Sequence, residues 1–383
     1  MQKCDLESLV SDIRAVFDTQ DFIPLHAPVF SGNEKKYVLD TIDSTFVSSV
    51  GDYVTRFESD FAAYVGSRYA VATMNGTSAL HIALVLAGVD ADSEVITQSL
   101  TFVATCNAIR YCSAYPTFID VSKDNLGLCP EKLKTFLESS TKQTTDGLIN
   151  TQTGRVIKAC LPMHTFGHPA QIDAICAICA DYGIPVIEDA AEALGSRYND
   201  KHCGSVSTMG VFSFNGNKIL TTGGGGMLVT DNEALAKKAK HISTTAKVPH
   251  AWNYDHDQVA FNYRMPNLNA ALGCAQLEQL PVFIEKKRQL ASRYKELFET
   301  KELSFLSEPA QARSNYWLNA LLFKTQDERD IFLTMSNEQK VMTRPVWTLM
   351  HKLPMFKSCY RADVSVSEDI ETRLVNIPSS VIL

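Results

Sequence analysis

Lys218 stands five residues past Ser213, beyond the apolar run Val211-Phe-Ser-Phe214, and four consecutive glycines, Gly223 to Gly226, follow it. An amine and a hydroxyl are thus carried on a backbone whose glycines let it approach a ligand closely. Lysine condenses with carbonyls, and a pocket that depresses its basicity turns it into a nucleophile and proton carrier. A phosphate-bearing aldehyde held covalently, of which pyridoxal phosphate is the obvious example, suits that pair. A lysine beside glycines is more commonly a solvated loop residue, so Lys218 alone does not decide the matter.

Other residues point the same way. In Met74-Asn-Gly76-Thr77-Ser78-Ala79, Gly76 permits a tight turn, and Thr77 and Ser78 open a helix whose free N–H groups and dipole form an anion site or, equally, an ordinary capped end. Asp189, at the end of the apolar Pro185-Val-Ile-Glu188, is costly to bury unless it meets a cation such as a pyridinium nitrogen, although it could instead cap the next helix. Glu192 follows within reach of the same ring. Phe102 and His164 also end strand-like runs, where an aromatic ring or imidazole stacks on a flat cofactor, borders a substrate, or belongs to the core.

These residues need a frame. A short amphipathic helix is predicted over residues 1–21 and treated as part of an N-terminal arm, 1–32. Helices follow from Asn33 to Ser44 and from Tyr53 to Tyr64, with a polar loop at Val47 to Gly51 between them. Strands at 69–74, 94–97, 116–120, 155–162 and 185–188 then alternate with helices at 79–87, 102–110, 131–138 and 170–182. That alternation predicts an α/β fold with a mostly parallel sheet covered on both faces, and ligands in such sheets lie beyond the strands' carboxyl ends. Helices at 283–300 and 327–335 and a strand over Tyr316 to Phe323 suggest a smaller C-terminal α+β unit. The expected division is a large domain, 33–255, and a small one, 256–383, with no obvious linker.

Composition excludes other classes. The 383 residues are 45% hydrophobic and 21% charged with a net charge of -7, and no Lys/Arg block invites nucleic acid or anionic membrane. The N-terminus lacks the basic and apolar regions of a signal peptide, and no apolar run reaches spanning length, so a cytoplasmic protein is expected. The ten cysteines are scattered. Cys176-Ala-Ile-Cys179 lies in a helical stretch with no second ligand pair and reads as packing, so no metal is expected.

Taken together, Asn75-Gly-Thr-Ser-Ala-Leu-His81, Glu188-Asp-Ala-Ala-Glu-Ala-Leu-Gly195, Phe212-Ser-Phe-Asn-Gly-Asn-Lys218 and Phe261-Asn-Tyr-Arg-Met-Pro266 resemble the pyridoxal-phosphate-dependent nucleotide-sugar aminotransferases of the DegT/DnrJ/EryC1/StrS family. The resemblance runs in order over nearly the whole chain. It implies a type I aminotransferase fold and a homodimer with shared active sites. Lys218 would carry the cofactor and move the proton; Asp189 would hold the pyridinium, Glu192 the ring oxygen, and Phe102 would stack on the ring. Gly76, Thr77 and Ser213 would bind the phosphate, and Asn262 would reach the phosphate of the neighbouring subunit. Family members often have glutamine where Glu192 stands. A branch that replaces the lysine by histidine dehydrates sugars, and Lys218 argues against it.

Ser213 to Ile219, Thr244-Thr-Ala-Lys-Val-Pro-His250 and Thr343-Arg-Pro-Val-Trp-Thr-Leu-Met-His351 look like the branch making 4-amino-4,6-dideoxy sugars for legionaminic acid and bacillosamine. The expected reaction moves the amino group of L-glutamate to the 4-keto carbon of UDP-4-keto-6-deoxy-N-acetylglucosamine. A GDP-linked 4-keto-6-deoxymannose giving perosamine and a 3-keto sugar are the alternatives within the class; a cofactor-binding sensor is the alternative outside it. His164, Lys247, Trp347 and His351 are the candidate substrate residues, each with a structural role equally open.

Overall fold

Strands buried on both faces need continuous apolar runs, and Val-Ile in Glu94–Gln98 and Met-Leu-Val in Gly226–Thr230 supply them; both strands are buried throughout. In the computed structural model, which describes residues 3–301 and 303–383, these strands belong to one twisted sheet. Its order is Tyr69–Thr73, Gly226–Thr230, Met209–Ser213, Ile187–Asp189, Ile157–Cys160, Glu94–Gln98, Tyr115–Ile119. Parallel bridges Cys160–Val186 and Met163–Asp189 join its two halves. Gly226–Thr230 alone runs against the rest, because it returns directly from Met209–Ser213. The parallel strands therefore end on one side, with Asn75, Phe102, Asp189 and Ser213 at or just past those ends.

Side-chain alternation aims Ser213. Its neighbours Phe212 and Phe214 turn to the opposite face and pack edge-on against Phe61 and Phe57, with ring centroids 5.0 and 5.2 Å apart. The helix Gly76–Leu86 starts earlier than expected because the Asn75 side chain caps it, accepting the Ser78 N–H at 2.8 Å.

Several elements carried no readable pattern. The hairpin Thr141–Thr144/Gly147–Asn150 is short and half polar. The helix expected from residue 283 instead spans Asn267–Glu299 and continues through Pro281, its first half held by the helices Glu34–Asp43 and Asp52–Val65. The strand expected over 316–323 is confined to Asn319–Leu322, since Tyr316 has φ 47°.

The smaller sheet, in the order Ser304–Phe305, Asn319–Leu322, Leu374–Ile377, Arg344–Pro345, is antiparallel. The N-terminal helix Lys3–Phe17 is part of this unit's core: Leu6, Leu9, Val10 and Ile13 pack with Tyr294, Phe298 and Phe332. The expected division at residue 255 coincides with no linker, because Phe261 and Tyr263 pack on His81 and Arg264 bridges to Thr73. Among the described residues no helix is long and apolar enough to cross a membrane.

Gly210 shows how tightly the central strand is enclosed: a Cβ there would lie 1.8 Å from the Gly204 carbonyl oxygen. Gly210→Ala is expected to cost about 1–3 kcal/mol, the usual range for overpacking, read as a lower urea midpoint at unchanged slope. An unchanged midpoint would contradict the packing described.

Candidate active site

A cleft of about 680 Å³ opens at the strands' carboxyl ends, between the large sheet and the smaller unit. The end of Ile187–Asp189 delivers Asp189, only 2% exposed, to its floor. One Asp189 oxygen accepts the Thr105 hydroxyl at 2.7 Å and the other the Ala191 N–H at 3.2 Å. Burial nonetheless pushes its carboxyl above the ordinary range, against the pull of Thr105, Ala191 and Lys218.

Glu192, also 2% exposed, faces the catalytic candidate directly. Its Oε1 lies 3.2 Å from Lys218 Nζ, and its Oε2 accepts the Phe166 N–H at 2.9 Å. Burial raises the Glu192 carboxyl to about 7, with Lys218 and the Phe166 N–H opposing. The Lys218 amine also lies 3.9 Å from the centre of the Trp317 ring. Trp317 is positioned by its own indole N–H, which donates to the Asn217 carbonyl at 2.8 Å.

The opposite wall is the N-terminus of Gly76–Leu86. A Cβ on Gly76 would lie 2.9 Å from Ser213 Cβ, and one on Gly226 2.5 Å from the Asn75 carbonyl carbon, so both glycines permit helix and strands to meet without intervening side chains. The first N–H groups of that helix have no acceptor within the helix, and Thr77 and Ser213 flank them. Phe102 is 44% exposed in the cleft, and its ring meets Trp347 at 5.8 Å between centroids.

Gly76, Thr77, Phe102, Asp189, Glu192, Ser213, Lys218 and Trp347 therefore share one cavity. Four other candidates do not line it. His164 is fully buried, with Nε2 3.0 Å from Glu188 and Nδ1 accepting the Ala170 N–H, so it braces the strand ends and cannot touch substrate as placed. His351 is 6% exposed and spends Nδ1 on the Ser99 hydroxyl at 2.6 Å. Lys247 lies on an exposed projection with its amine 4.0 Å over the Tyr254 ring. Asn262 is exposed, bridged to Thr244 outside the cleft of its own chain.

Residues beyond the sequence reading complete the site. Asn75 was legible as the polar residue before a glycine-led helix, and Arg344 lay in the Thr343–His351 segment without being singled out; Thr105 and Trp317 carried no local signal. Among the described residues no cluster of metal-ligating side chains occurs, and nine of the ten cysteines, Cys106 to Cys359, are free thiols.

The buried carboxylate sets a pH dependence. Between its ordinary value of 4.5 and about 7, Glu192 keeps a proton in the folded chain that it loses in the unfolded one, so its contribution to stability falls as pH rises through that window. Glu192→Gln removes this fall. In the cofactor-free protein, the urea midpoint of the variant relative to wild type should rise from pH 5 to pH 8; a constant difference would contradict the shift.

The cleft joins a buried amine–carboxylate pair, a second buried carboxylate and a helix-end anion site, on a fold that a solved aminotransferase shares. The chain is 35% identical over 358 residues to the GDP-perosamine synthase of Escherichia coli O157:H7, covering 94% of this chain and 93% of that one. To the enzyme of the same name from Vibrio cholerae it is 33% identical over 360 residues, covering 93% and 94%. Its fold matches the aminotransferase TlmJ of Streptoalloteichus hindustanus with a TM-score of 0.84 at 25% identity, over 94% of this chain and 93% of that one. Residues 29–383 match the DegT/DnrJ/EryC1/StrS aminotransferase family, to which this chain belongs.

Proposed function

We propose that this aminotransferase moves the amino group of L-glutamate to the 4-keto carbon of a 4-keto-6-deoxy sugar linked to a nucleoside diphosphate, for the synthesis of cell-surface glycans. The observation that carries the reading is the Lys218 amine, 3.2 Å from buried Glu192, in a cleft that ends on Asp189 and on a helix N-terminus.

Enzymes of this family work with pyridoxal 5′-phosphate, and the residues present fit it. A buried carboxylate whose ionised form is disfavoured needs a cation, and Asp189 would find one in the pyridinium nitrogen. The helix end at Gly76 and Thr77, with the Ser213 hydroxyl, would hold the phosphate, and no Cβ obstructs its approach. Phe102 would stack on the ring and Glu192 would meet its oxygen. When bound, the cofactor supplies a carbonyl that takes up amines and a ring that stores the electrons of a broken C–H bond.

The chain's own residues then handle protons and position. Lys218 would carry the cofactor covalently and, once released, take the proton from the donor's α-carbon and, in the second half of the exchange, give one to the sugar carbon that receives the amine. Glu192, raised to about 7, can accept or supply that proton near neutrality without leaving its place. Thr105 and the Ala191 N–H keep Asp189 aimed.

The nucleotide and sugar are the finer part of the reading. The segment resemblance favours UDP-4-keto-6-deoxy-N-acetylglucosamine, whereas relatives named GDP-perosamine synthase favour a GDP-linked 4-keto-6-deoxymannose. Identity above 30% over nearly full length outweighs short segments, so the GDP-linked sugar is the first substrate to offer. A homodimer is part of the proposal: Trp252, Tyr254 and Val259 are 77%, 80% and 97% exposed on the projection that also bears Lys247, and Asn262 faces out beside it.

Lys218→Ala should abolish amino transfer from L-glutamate while leaving the urea midpoint near wild type; full activity in that variant would overturn the assignment. Product formation from GDP- and UDP-linked 4-keto-6-deoxy sugars should differ by at least about tenfold in kcat/KM, the ratio that one net hydrogen bond of about 1.4 kcal/mol commands. Sedimentation should give twice the chain mass, and Trp252→Ser with Tyr254→Ser should shift it toward the monomer.

A further inference from the structure

Trp317 belongs to no segment that singled out the site, yet its ring faces the Lys218 amine, 3.9 Å from its centre. The indole is 4% exposed and held on several sides. Its Nε1–H donates to the Asn217 carbonyl at 2.8 Å, beside Lys218 in the chain. Its backbone N–H donates to Asn315 Oδ1 at 2.8 Å, and the amide nitrogen of the same Asn315 donates to the Glu192 carbonyl at 2.9 Å. Its backbone carbonyl accepts from Lys287 Nζ at 3.1 Å, an amine that is wholly buried and bonded also to the Ser379 carbonyl. Trp317 and Glu192 are thus locked to each other through Asn315, with the Lys218 amine 3.9 Å from the ring centre and 3.2 Å from the carboxylate.

An aminotransferase lysine is covalently engaged for only part of its cycle. While the amino group resides on the cofactor, its amine is free and must stay where it can move the next proton. We propose that the indole face of Trp317 and Oε1 of Glu192 form the resting place of the released Lys218 amine, which makes Trp317 a positioning residue for proton transfer. The proposal rests on the function read above. An indole face attracts an ammonium through its ring quadrupole, most strongly where water is excluded, and it cannot itself take the proton. Glu192 can. The pair therefore holds the amine without trapping it in a full ion pair. Asp189 and His26 both feel the charge of Lys218, and both remain in the variants below.

The test is the acetylation rate of Lys218, followed by peptide mass, in the full chain loaded with pyridoxamine 5′-phosphate, the form in which that amine is free. Losing the ring in Trp317→Leu should speed labelling about fivefold at fixed pH, and the weaker ring of Trp317→Phe about twofold. Neither variant should change labelling in the pyridoxal phosphate form, where Lys218 is engaged. Buried Lys287 serves as the internal standard: if it becomes labelled in Trp317→Leu, the variant has opened, and Trp317→Phe alone decides. Wild-type rates in the intact variants, or acceleration confined to Glu192→Gln, would overturn the proposal. Borohydride reduction of the pyridoxal phosphate form should fix cofactor on Lys218; fixation elsewhere would overturn both the function and this role.

Discussion

Asp189 and Glu192 are both removed from water at the end of one strand, and the surroundings of the cleft answer that cost. Thr105 and the Ala191 N–H serve one carboxylate; the Phe166 N–H and the Lys218 amine serve the other. Glu188, their neighbour, is wholly buried as well and is held below the usual carboxylate range: burial opposes, but His164 and the N–H groups of Gly204 and Ser207 prevail. Three acids within five residues are tolerable only because loops at 164–170 and 203–207 fold over them with donors in place. Glu188 is fully satisfied and serves the frame. Asp189 and Glu192 retain bonding capacity toward the cleft, which is what distinguishes a site from a brace.

That arrangement depends on strand direction. With the functional strands parallel, the loops that leave them converge on one edge, and the reversed strand Gly226–Thr230 admits the helix start at Gly76 close against the sheet. The smaller unit closes the cleft from the other side with Trp317, Arg344 and Trp347. It is pinned to the large sheet by Asp120, whose carboxylate accepts the Val366 and Ser367 N–H groups at the start of the helix Ser365–Arg373. The long helix Asn267–Glu299 packs against the large unit's helices at one end and carries Lys287, Tyr294 and Phe298 into the smaller unit at the other. The two units are therefore coupled through shared elements, and the cleft lies where they meet.

Under the proposed function, amino transfer and the choice of sugar would fall to different parts of this cleft. In the proposed reaction Lys218, Asp189, Glu192 and the helix end would handle an amine, a ring and a phosphate, and none of them would read a sugar. Selection would fall to the mouth, where Trp347 presents a flat apolar face and Arg344 brings a cation, one of its nitrogens tied to Asn337 and the Thr343 carbonyl.

By itself the sequence determined the period of its strands, the alternation that makes the large sheet parallel, and the residues that end those strands. Asp189, Ser213 and the Asn75–Ser78 turn were legible because each sits beside an apolar run whose burial dictates where the run stops. Lys218 was legible from its glycine-rich setting and from segments matching a known family. The tertiary structure alone decided which polar residues face the cleft and which are spent inside. His164 and His351 look as reactive in sequence as Lys218, yet both ring nitrogens of His164 are consumed by Ala170 and Glu188, and Nδ1 of His351 by Ser99, partners supplied by other segments. Trp317 is the converse case. Nothing near it in sequence marks it, and it reaches Lys218 only because Asn315, Lys287 and the Asn217 carbonyl converge on it in the fold. Local pattern reports burial and direction; which groups meet is set by long-range packing, and burial leaves a polar side chain no choice but the partners that packing brings.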